Sequence, residues 1–336
     1  MDNIDVSIWK IHDTAFREIS GEHPILELLL DVEAYPFAHE AGVFLPDKNI
    51  LFVTSNQFLD ANGDKKVQIS KISLKEDGQG ASQEEIQCES IHMANGGVND
   101  RKNTENIIFC AQGSMTAPSG LFRMSSVPPY KTEPVVTSFH GRPFNSVNDV
   151  VFSKDGCIWF TDPTYGFQQG YRPPPQVPCQ VYRFDPNTAA IRAVADGFQM
   201  SNGLCFSPDE LVLYVTDTDY IHGNGSTDPH RVSSIYALDV VHIHGQPSLQ
   251  NRRLFAFVDV GVPDGIKCDM DGNVYSGCGD GIHVWSPGGV LLGRILVPGG
   301  AANFCFGRGG EIFILNEHRI WKAKLNPLVK GALLGI

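Results

Sequence analysis

The stretch Asn148-DVVFSKDGCIWFTDP contains a short apolar run, an Asp-Gly turn and a longer apolar run. Asp and Gly tolerate the backbone angles that tight turns require, and Val, Ile, Phe and Trp favour strands. The stretch therefore predicts a β-hairpin whose strands are buried on both faces.

This hairpin pattern recurs along the chain, with opening residues 55, 53, 54, 62 and 39 residues apart. A spacing near fifty residues leaves room for four strands in each repeat. Six such repeats predict an all-β fold, a six-bladed β-propeller with four-stranded blades around a central metal-binding channel. The other five copies are Glu40-AGVFLPDKNILFVTS, Asn95-GGVNDRKNTENIIFCAQG, Asn202-GLCFSPDELVLYVTDT, Asp264-GIKCDMDGNVYSGCGD and Asn303-FCFGRGGEIFILNE.

The repeats indicate one propeller domain over residues 1–336. Too few residues follow Asn303 to complete a sixth blade, and strand-like segments precede the first repeat at Val6–Ile11 and Ile25–Val32. We expect residues 1–39 to return and help to close the last blade. Two packed β-sandwiches, the alternative, would give irregular spacing and a linker of different composition, and the sequence has neither.

The amino-acid composition limits the kinds of molecule that this protein is expected to bind. With 42% hydrophobic residues the chain can bury a large core, and a net charge of −12 argues against a nucleic acid or an anionic membrane as partner. A small molecule or a cation is expected instead. The N-terminal residues lack the basic and apolar regions of a secretory signal, so we expect a cytoplasmic protein whose eight cysteines are reduced.

The opening residues of the repeats occupy equivalent positions. Four of them stand seven residues before a turn aspartate. The innermost strands of a propeller surround the channel, so equivalent positions on successive blades form a ring around its axis. This ring, called the channel ring below, consists of Glu40, Asn95, Asn148, Asn202, Asp264 and Asn303.

The channel ring offers only oxygen and amide donors, with two full negative charges. Calcium accepts six to eight oxygen ligands in flexible geometry, whereas zinc prefers His or Cys and magnesium keeps most of its water. We therefore expect one calcium ion in the channel. The alternative is a plug of amides and carboxylates that hydrogen-bond around buried water.

Several motifs, in order along the chain, resemble those of the gluconolactonase/senescence-marker-protein-30 superfamily, and most of all those of fungal lactonohydrolases that open aldonolactones and pantolactone. The resemblance implies a six-bladed propeller with a catalytic calcium ion whose ligands fall on Glu40, Asn148, Asn202 and Asp264. The second repeat departs from the pattern, since it reads Cys110-Ala-Gln-Gly-Ser114 where relatives often place an acidic residue or His. The motifs are Phe37-Ala38-His39-Glu40-Ala41, Arg142-Pro-Phe-Asn-Ser-Val-Asn-Asp149, Phe160-Thr-Asp-Pro-Thr-Tyr-Gly166, Ser201-Asn-Gly-Leu204, Pro263-Asp-Gly-Ile266 and Gly277-Cys-Gly-Asp-Gly-Ile-His-Val-Trp285.

These observations predict a calcium-dependent hydrolase that opens a small sugar-type or secondary-metabolite lactone. Calcium with open coordination positions polarises an ester carbonyl, but it activates water less than zinc does, so a separate base is expected. Glu40 and Asp264 are the first candidates for that base, followed by His283 and His39. Each histidine is alternatively a hydrogen-bonded packing residue.

Contacts with the lactone substrate are expected from the remaining ring residues and from the loop that follows the second strand of the third repeat. A solvated loop is the alternative for that segment. The predicted substrate-binding residues are Asn95, Asn303, Tyr165, Arg172 and His39.

Two other functions remain open from the sequence. One is a non-hydrolytic cyclase of fungal natural-product biosynthesis, which a lipophilic pocket lined by Phe and Tyr would favour. The other is a non-enzymatic metal-binding propeller, in which the channel metal has no open coordination site.

Overall fold

A computed structural model describes residues 8–75 and 80–336. Its sheets are antiparallel and alternate with tight turns, because each apolar run of the repeats forms one strand. Within these ranges, helix is confined to Phe16–Ser20, Tyr165–Gln168 and a 3₁₀ turn at Pro46–Lys48. None of the helices in these ranges is long and apolar enough to cross a membrane.

Six sheets form the blades of a six-bladed β-propeller, as the repeats predicted. From the channel outwards, blade one comprises Glu40–Leu45, Ile50–Thr54, Ile69–Leu74 and Ala81–Ile86. Blade two comprises Ala94–Asn99, Asn106–Ala111, Gly120–Ser125 and Thr132–Val136. Blade three comprises Val150–Phe152, Ile158–Asp162, Gln180–Asp185 and Ala190–Ala195. Blade four comprises Ser201–Phe206, Val212–Asp217, Ser234–Ile243 and Gln246–Phe257. Blade five comprises Ile266–Cys268, Val274–Cys278, Gly281–Trp285 and Leu291–Leu296. Blade six comprises Asn303–Phe306, Glu311–Asn316, Arg319–Lys324 and Ile25–Asp31. Two short hairpins stand apart from the blades, Phe58–Leu59 with Lys65–Lys66 and Ser138–Phe139 with Arg142–Pro143.

The N-terminal strands take two different places. Ile25–Asp31 pairs antiparallel with Arg319–Lys324 and supplies the outer strand of blade six. Trp9–Ile11 pairs instead with Leu291–Leu296, so blade five has five strands, whereas four were expected. The first two residues of the predicted segment Val6–Ile11 lie outside the described residues. Trp9 is buried against blade five, and this burial explains why the segment does not reach the last blade.

The core lies between neighbouring blades rather than at one centre. The described residues form six apolar clusters, one at each of the six blade interfaces. Phe44 of blade one and Phe313 of blade six lie 5.4 Å apart, centroid to centroid, in the cluster that closes the ring. The inner strands contact one another in chain order, and that of blade six contacts that of blade one.

Residues 331–336 lie across the end of the channel remote from the channel ring. Leu333 packs on two of the apolar clusters, between blades two and three and between blades three and four. Ala332 donates its backbone N–H to the carbonyl of Cys268, 2.9 Å away, on the inner strand of blade five. Residues 331–334 border a small cavity of about 70 Å³ at this end.

Eight free cysteines are present in the described chain, six of them fully buried. The sequence predicted reduced thiols.

Candidate active site

The channel ring lies at the starting ends of the six inner strands. Glu40 and Asn303 open their strands, Asn95 and Asn202 are second in theirs, and Asn148 and Asp264 lie just before theirs. The inner strands run in the same direction around the ring, so their starting ends meet at one mouth of the channel.

Threonines at the ends of second strands join these positions between blades. Thr54 of blade one donates its hydroxyl to the carbonyl of Asn95 in blade two at 2.9 Å. Thr161 of blade three donates likewise to Asn202 at 2.6 Å. Thr216 of blade four donates to Asp264 at 3.1 Å, so each of these three ring residues is held by the blade before it.

Glycines after the ring residues allow the next blade to come close. A Cβ atom on Gly96 would lie 2.6 Å from the backbone oxygen of Asn148, and one on Gly203 would lie 2.6 Å from that of Asp264. Real Cβ atoms do not approach oxygen so closely, so any larger residue would push the ring apart. The Asn-Gly pairs of the sequence therefore have a packing reason.

A cavity of about 500 Å³ opens above the channel ring, and five of the six ring residues line it. Asn303 is fully buried beneath the cavity, where its Nδ2 donates to Oε2 of Glu40 at 2.6 Å. The described lining contains no Lys or Arg side chain. The ring residues that line the cavity are Glu40, Asn95, Asn148, Asn202 and Asp264.

An acidic cluster lies at the base of this cavity. One ligand atom from each of His39, Glu40 and Asp264 lies within 4.8 Å of the others. Burial, together with the charge of Asp264, raises the pKa of Glu40 to about 8. Burial also raises the pKa of Asp264 to about 6. Two buried carboxyl groups this close favour a bound proton or a bound cation.

The oxygen atoms around this cluster favour the cation. Within the described chain, Oδ1 of Asn148, Oδ1 of Asp264 and Oδ1 of Asn95 are buried without a hydrogen-bond partner. Buried polar atoms normally have partners, and a metal ion supplies one. The donors of Glu40, Asn148, Asn202 and Asp264 therefore fit a hard divalent cation.

His39 adds an imidazole beside a ring that itself contains none. Its Nδ1 lies 2.7 Å from Oε1 of Glu317, whose Oε2 accepts a hydrogen bond from Nδ2 of Asn56 at 3.2 Å. Burial lowers the pKa of His39, but the Glu317 carboxylate, with Glu40 and Asp264, outweighs burial and raises it to about 10. Glu317 was not predicted; its position just past the second strand of blade six is the signal that could have found it.

The wall from blade three carries two tyrosines. Tyr165 opens the short helix Tyr165–Gln168, lines the cavity and hydrogen-bonds to the hydroxyl of Thr218. Tyr171 also lines the cavity and donates its hydroxyl to Oε1 of Gln112 from blade two. The structure thus brings the predicted Tyr165 to the site, with its hydroxyl already paired.

Arg172 is not brought to the cavity. Its buried guanidinium donates to the carbonyls of Asn145, Ser114, Ala117 and Phe144 at 2.7–2.8 Å. With these contacts it ties the loops of blades two and three together. Arg172 therefore does not reach the cavity where the substrate contact was predicted, and it shapes the mouth of the cavity instead.

His283 also lies away from the cavity, on the third strand of blade five. It is 1% exposed, and its Nε2 lies 2.6 Å from Oδ1 of Asp280, which also pairs with Arg294. Third strands are distant from the channel in a four-stranded blade, so the Gly-Asp-Gly-Ile-His motif does not place an imidazole at the channel ring. We assign His283 no catalytic role.

The family relationship rests on a match over most of the chain. The sequence profile of the SMP-30/Gluconolactonase/LRE-like region matches residues 73–315. The chain belongs to this family. The matched residues include Asn148, Asn202 and Asp264, whereas His39 and Glu40 lie well before the match and Glu317 lies two residues after it.

Several proteins with similar sequences or structures are named as lactonohydrolases or gluconolactonases. Lactonohydrolase oryL of Aspergillus oryzae is 28% identical over 316 residues, covering 88% of this chain and 68% of its own. A gluconolactonase of Zymomonas mobilis is 32% identical over 208 residues, covering 56% of this chain and about half of its own. The structure of a gluconolactonase from Xanthomonas campestris is 28% identical, with a TM-score of 0.73 over 96% of each chain.

The repeat pattern predicted the ring and the family motifs predicted four metal ligands in it, but both missed part of the cavity wall. Gln57 and Val67 reach the cavity from the hairpin of blade one, and Met93 from the segment before blade two. Ile221 and His222 reach it from the long loop of blade four. These positions lie in irregular loops, where the repeat pattern carries no information.

Proposed function

We propose that this chain is a calcium-dependent hydrolase of small lactones. The observation that carries the proposal is the pair of buried carboxyl groups, Glu40 and Asp264, at the base of a cavity. Among the described residues, Oδ1 of Asp264 and the ring oxygens Oδ1 of Asn95 and Asn148 have no protein partner. The lactonase names of the relatives support the reaction class.

Calcium is proposed as the metal because the donors are oxygen atoms. Glu40, Asn148, Asn202 and Asp264 would hold it. His39 is the one imidazole of the described cluster, and its Nδ1 is taken by Glu317, which leaves few nitrogen donors for zinc. When bound, calcium would polarise the lactone carbonyl and stabilise negative charge on its oxygen.

The protein's own groups position the metal ligands and move the proton. Asn303 fixes one oxygen of Glu40 and so orients the carboxylate. We assign proton removal from the attacking water to Asp264, through the carboxylate oxygen that does not hold the metal. His39, oriented by Glu317, has a pKa raised to about 10 and is protonated near neutral pH, so it can donate a proton to the leaving oxygen but does not serve as the base.

Substrate binding is proposed from the cavity lining. Asn95 and Tyr165 border the cavity above the ring and offer an amide and a phenol to a polar substrate. The cavity's carboxylates and its lack of Lys and Arg in the described lining favour a neutral substrate over an anionic one. A small neutral lactone has that chemistry.

The test is acid release in a pH-stat with aldonolactones, pantolactone and aromatic lactones. We expect hydrolysis that a chelator abolishes and calcium restores, and bound calcium near one per chain. Asp264→Ala should lose both metal and activity. Retention of both by this variant would overturn the assignment.

Two further outcomes are informative. Restoration by zinc and not by calcium would replace the proposed metal. If the protein hydrolyses none of the tested lactones while calcium is still bound, hydrolysis of these lactones is excluded and a non-hydrolytic reaction is favoured.

A further inference from the structure

We infer that Gln57 is a specificity-determining residue that hydrogen-bonds a hydroxyl group of the substrate. The inference rests on the proposed lactonase function and assigns a recognition role to a residue outside the metal site. It comes from the pairing of the amides that surround the cavity.

Most of the side-chain amides that line the cavity already have a hydrogen-bond partner in the protein or are proposed to bind the metal. Gln112 accepts from Tyr171, Asn224 accepts from Ser226, and Asn56 bonds to Glu317. Asn148 is a proposed ligand of the metal. Oε1 of Gln57 and Oδ1 of Asn95 are buried and have no partner within the described residues, and of these two only Gln57 lies outside the channel ring.

The position of Gln57 places it above the metal site. Glu40 pairs with Thr54 at the end of the second strand of blade one, and Gln57 follows three residues later, at the same end of the blade. It therefore lines the mouth of the cavity, on the wall across the ring from the blade-four loop that carries His222.

The backbone of Gln57 is fixed from one side. Oδ1 of Asn56 accepts the N–H of Gln57 at 2.7 Å, and Nδ2 of Asn56 donates to Glu317. Asn56 also donates its own N–H to the carbonyl of Pro36 at 2.8 Å. These contacts fix where the backbone of Gln57 lies, so its side chain starts from a defined point on the cavity wall.

The chemistry of the ligand group follows from the amide. A buried carbonyl oxygen requires a donor, and a hydroxyl of a neutral lactone provides one. A site that bonds a hydroxyl rejects the deoxy analogue strongly, because the buried oxygen then stays unpaired. We therefore expect preference for a hydroxylated lactone over a deoxy lactone of the same ring size.

The experiment compares glucono-δ-lactone with δ-valerolactone in the wild type, Gln57→Leu and the control Gln250→Leu. Gln250 is an exposed amide on the outer strand of blade four. We expect Gln57→Leu to lower kcat/KM about tenfold for glucono-δ-lactone and to leave δ-valerolactone unchanged within about twofold. The control should change neither value.

A binding measurement separates recognition from catalysis. 1,5-Anhydroglucitol, a hydroxylated ring that cannot be hydrolysed, should raise the Tm of the wild type, and the Gln57→Leu variant should lose this shift. Metal content must stay the same in both proteins. Loss of metal in Gln57→Leu would overturn the inference, since Gln57 would then be a metal ligand.

Other results also decide the question. Equal losses for both lactones, with the Tm shift retained, would contradict hydroxyl recognition by Gln57 while leaving the proposed lactonase function intact. A wild-type enzyme that hydrolyses neither lactone but still shows the Gln57-dependent shift would support the binding site and refute the proposed reaction.

Discussion

Nδ2 of Asn303 lies 2.6 Å from Oε2 of Glu40, so the first inner strand and the last one are joined by a single hydrogen bond at the channel ring. Both residues are buried, with exposures of 0% and 2%. The bond orients a proposed metal ligand at the point where the propeller closes.

Removing this donor should weaken metal binding. Asn303→Ala leaves one oxygen of Glu40 without its partner, and loss of such supporting contacts typically costs about tenfold or more in metal affinity. Isothermal titration with calcium measures the change. The exposed Asn62→Ala is the matched control, and equal affinity in both variants would contradict the role of Asn303.

Metal and protons should compete at the acidic cluster. The raised pKa values of Glu40, about 8, and Asp264, about 6, mean that the folded metal-free protein holds more protons than the unfolded chain between about pH 4 and pH 8. Stability of the metal-free protein should therefore fall as pH rises through this window, and stabilisation by calcium should grow, because calcium needs both carboxylates ionised.

Thermal melts in chelator and in excess calcium, at several values between about pH 5 and pH 8, measure this competition. Glu40→Gln should flatten the pH dependence of the metal-free protein. A calcium-induced shift in Tm that is the same at both ends of the range would contradict the prediction.

Arg172 should act through the shape of the mouth. Arg172→Ala removes the donors to four backbone carbonyls and should lower the free energy of unfolding by about 3 kcal/mol. It should also raise KM, since the loops that carry Tyr171 and Gln112 lose their common tie. Urea unfolding and steady-state kinetics test the two effects, and unchanged calcium affinity distinguishes this role from metal binding.

The apolar segment at the far end of the channel offers a stability test with its own control. Leu333 packs on two blade interfaces, so Leu333→Ala should cost about 2 kcal/mol. Leu328, which lies shortly before this segment, is 82% exposed, and Leu328→Ala should cost close to nothing. Equal effects in urea unfolding would show that residues 331–336 do not stabilise the ring.

The channel ring itself was predictable because its residues follow the repeat. The seven-residue distance from Asn148 to Asp155, and from Asp264 to Asp271, marks equivalent points on different blades. The threonine and glycine contacts between blades have the same periodic origin. Fold class and the six ring positions therefore depend on local patterns, which a sequence displays directly.

What lies around the ring was decided by tertiary structure. His283 was predicted as a catalytic residue and Arg172 as a substrate-binding residue, yet the third strand of blade five and the carbonyls of neighbouring loops hold them elsewhere. Glu317 meets His39 from 278 residues away, and the orphan oxygen of Gln57 follows from how irregular loops pack. The sequence alone determined the repeated strands and the residues that open them, because strand and turn preferences are local. Which distant side chains share a cavity, and which polar atoms there lack a partner, became clear only from the closed propeller, because both depend on contacts between blades.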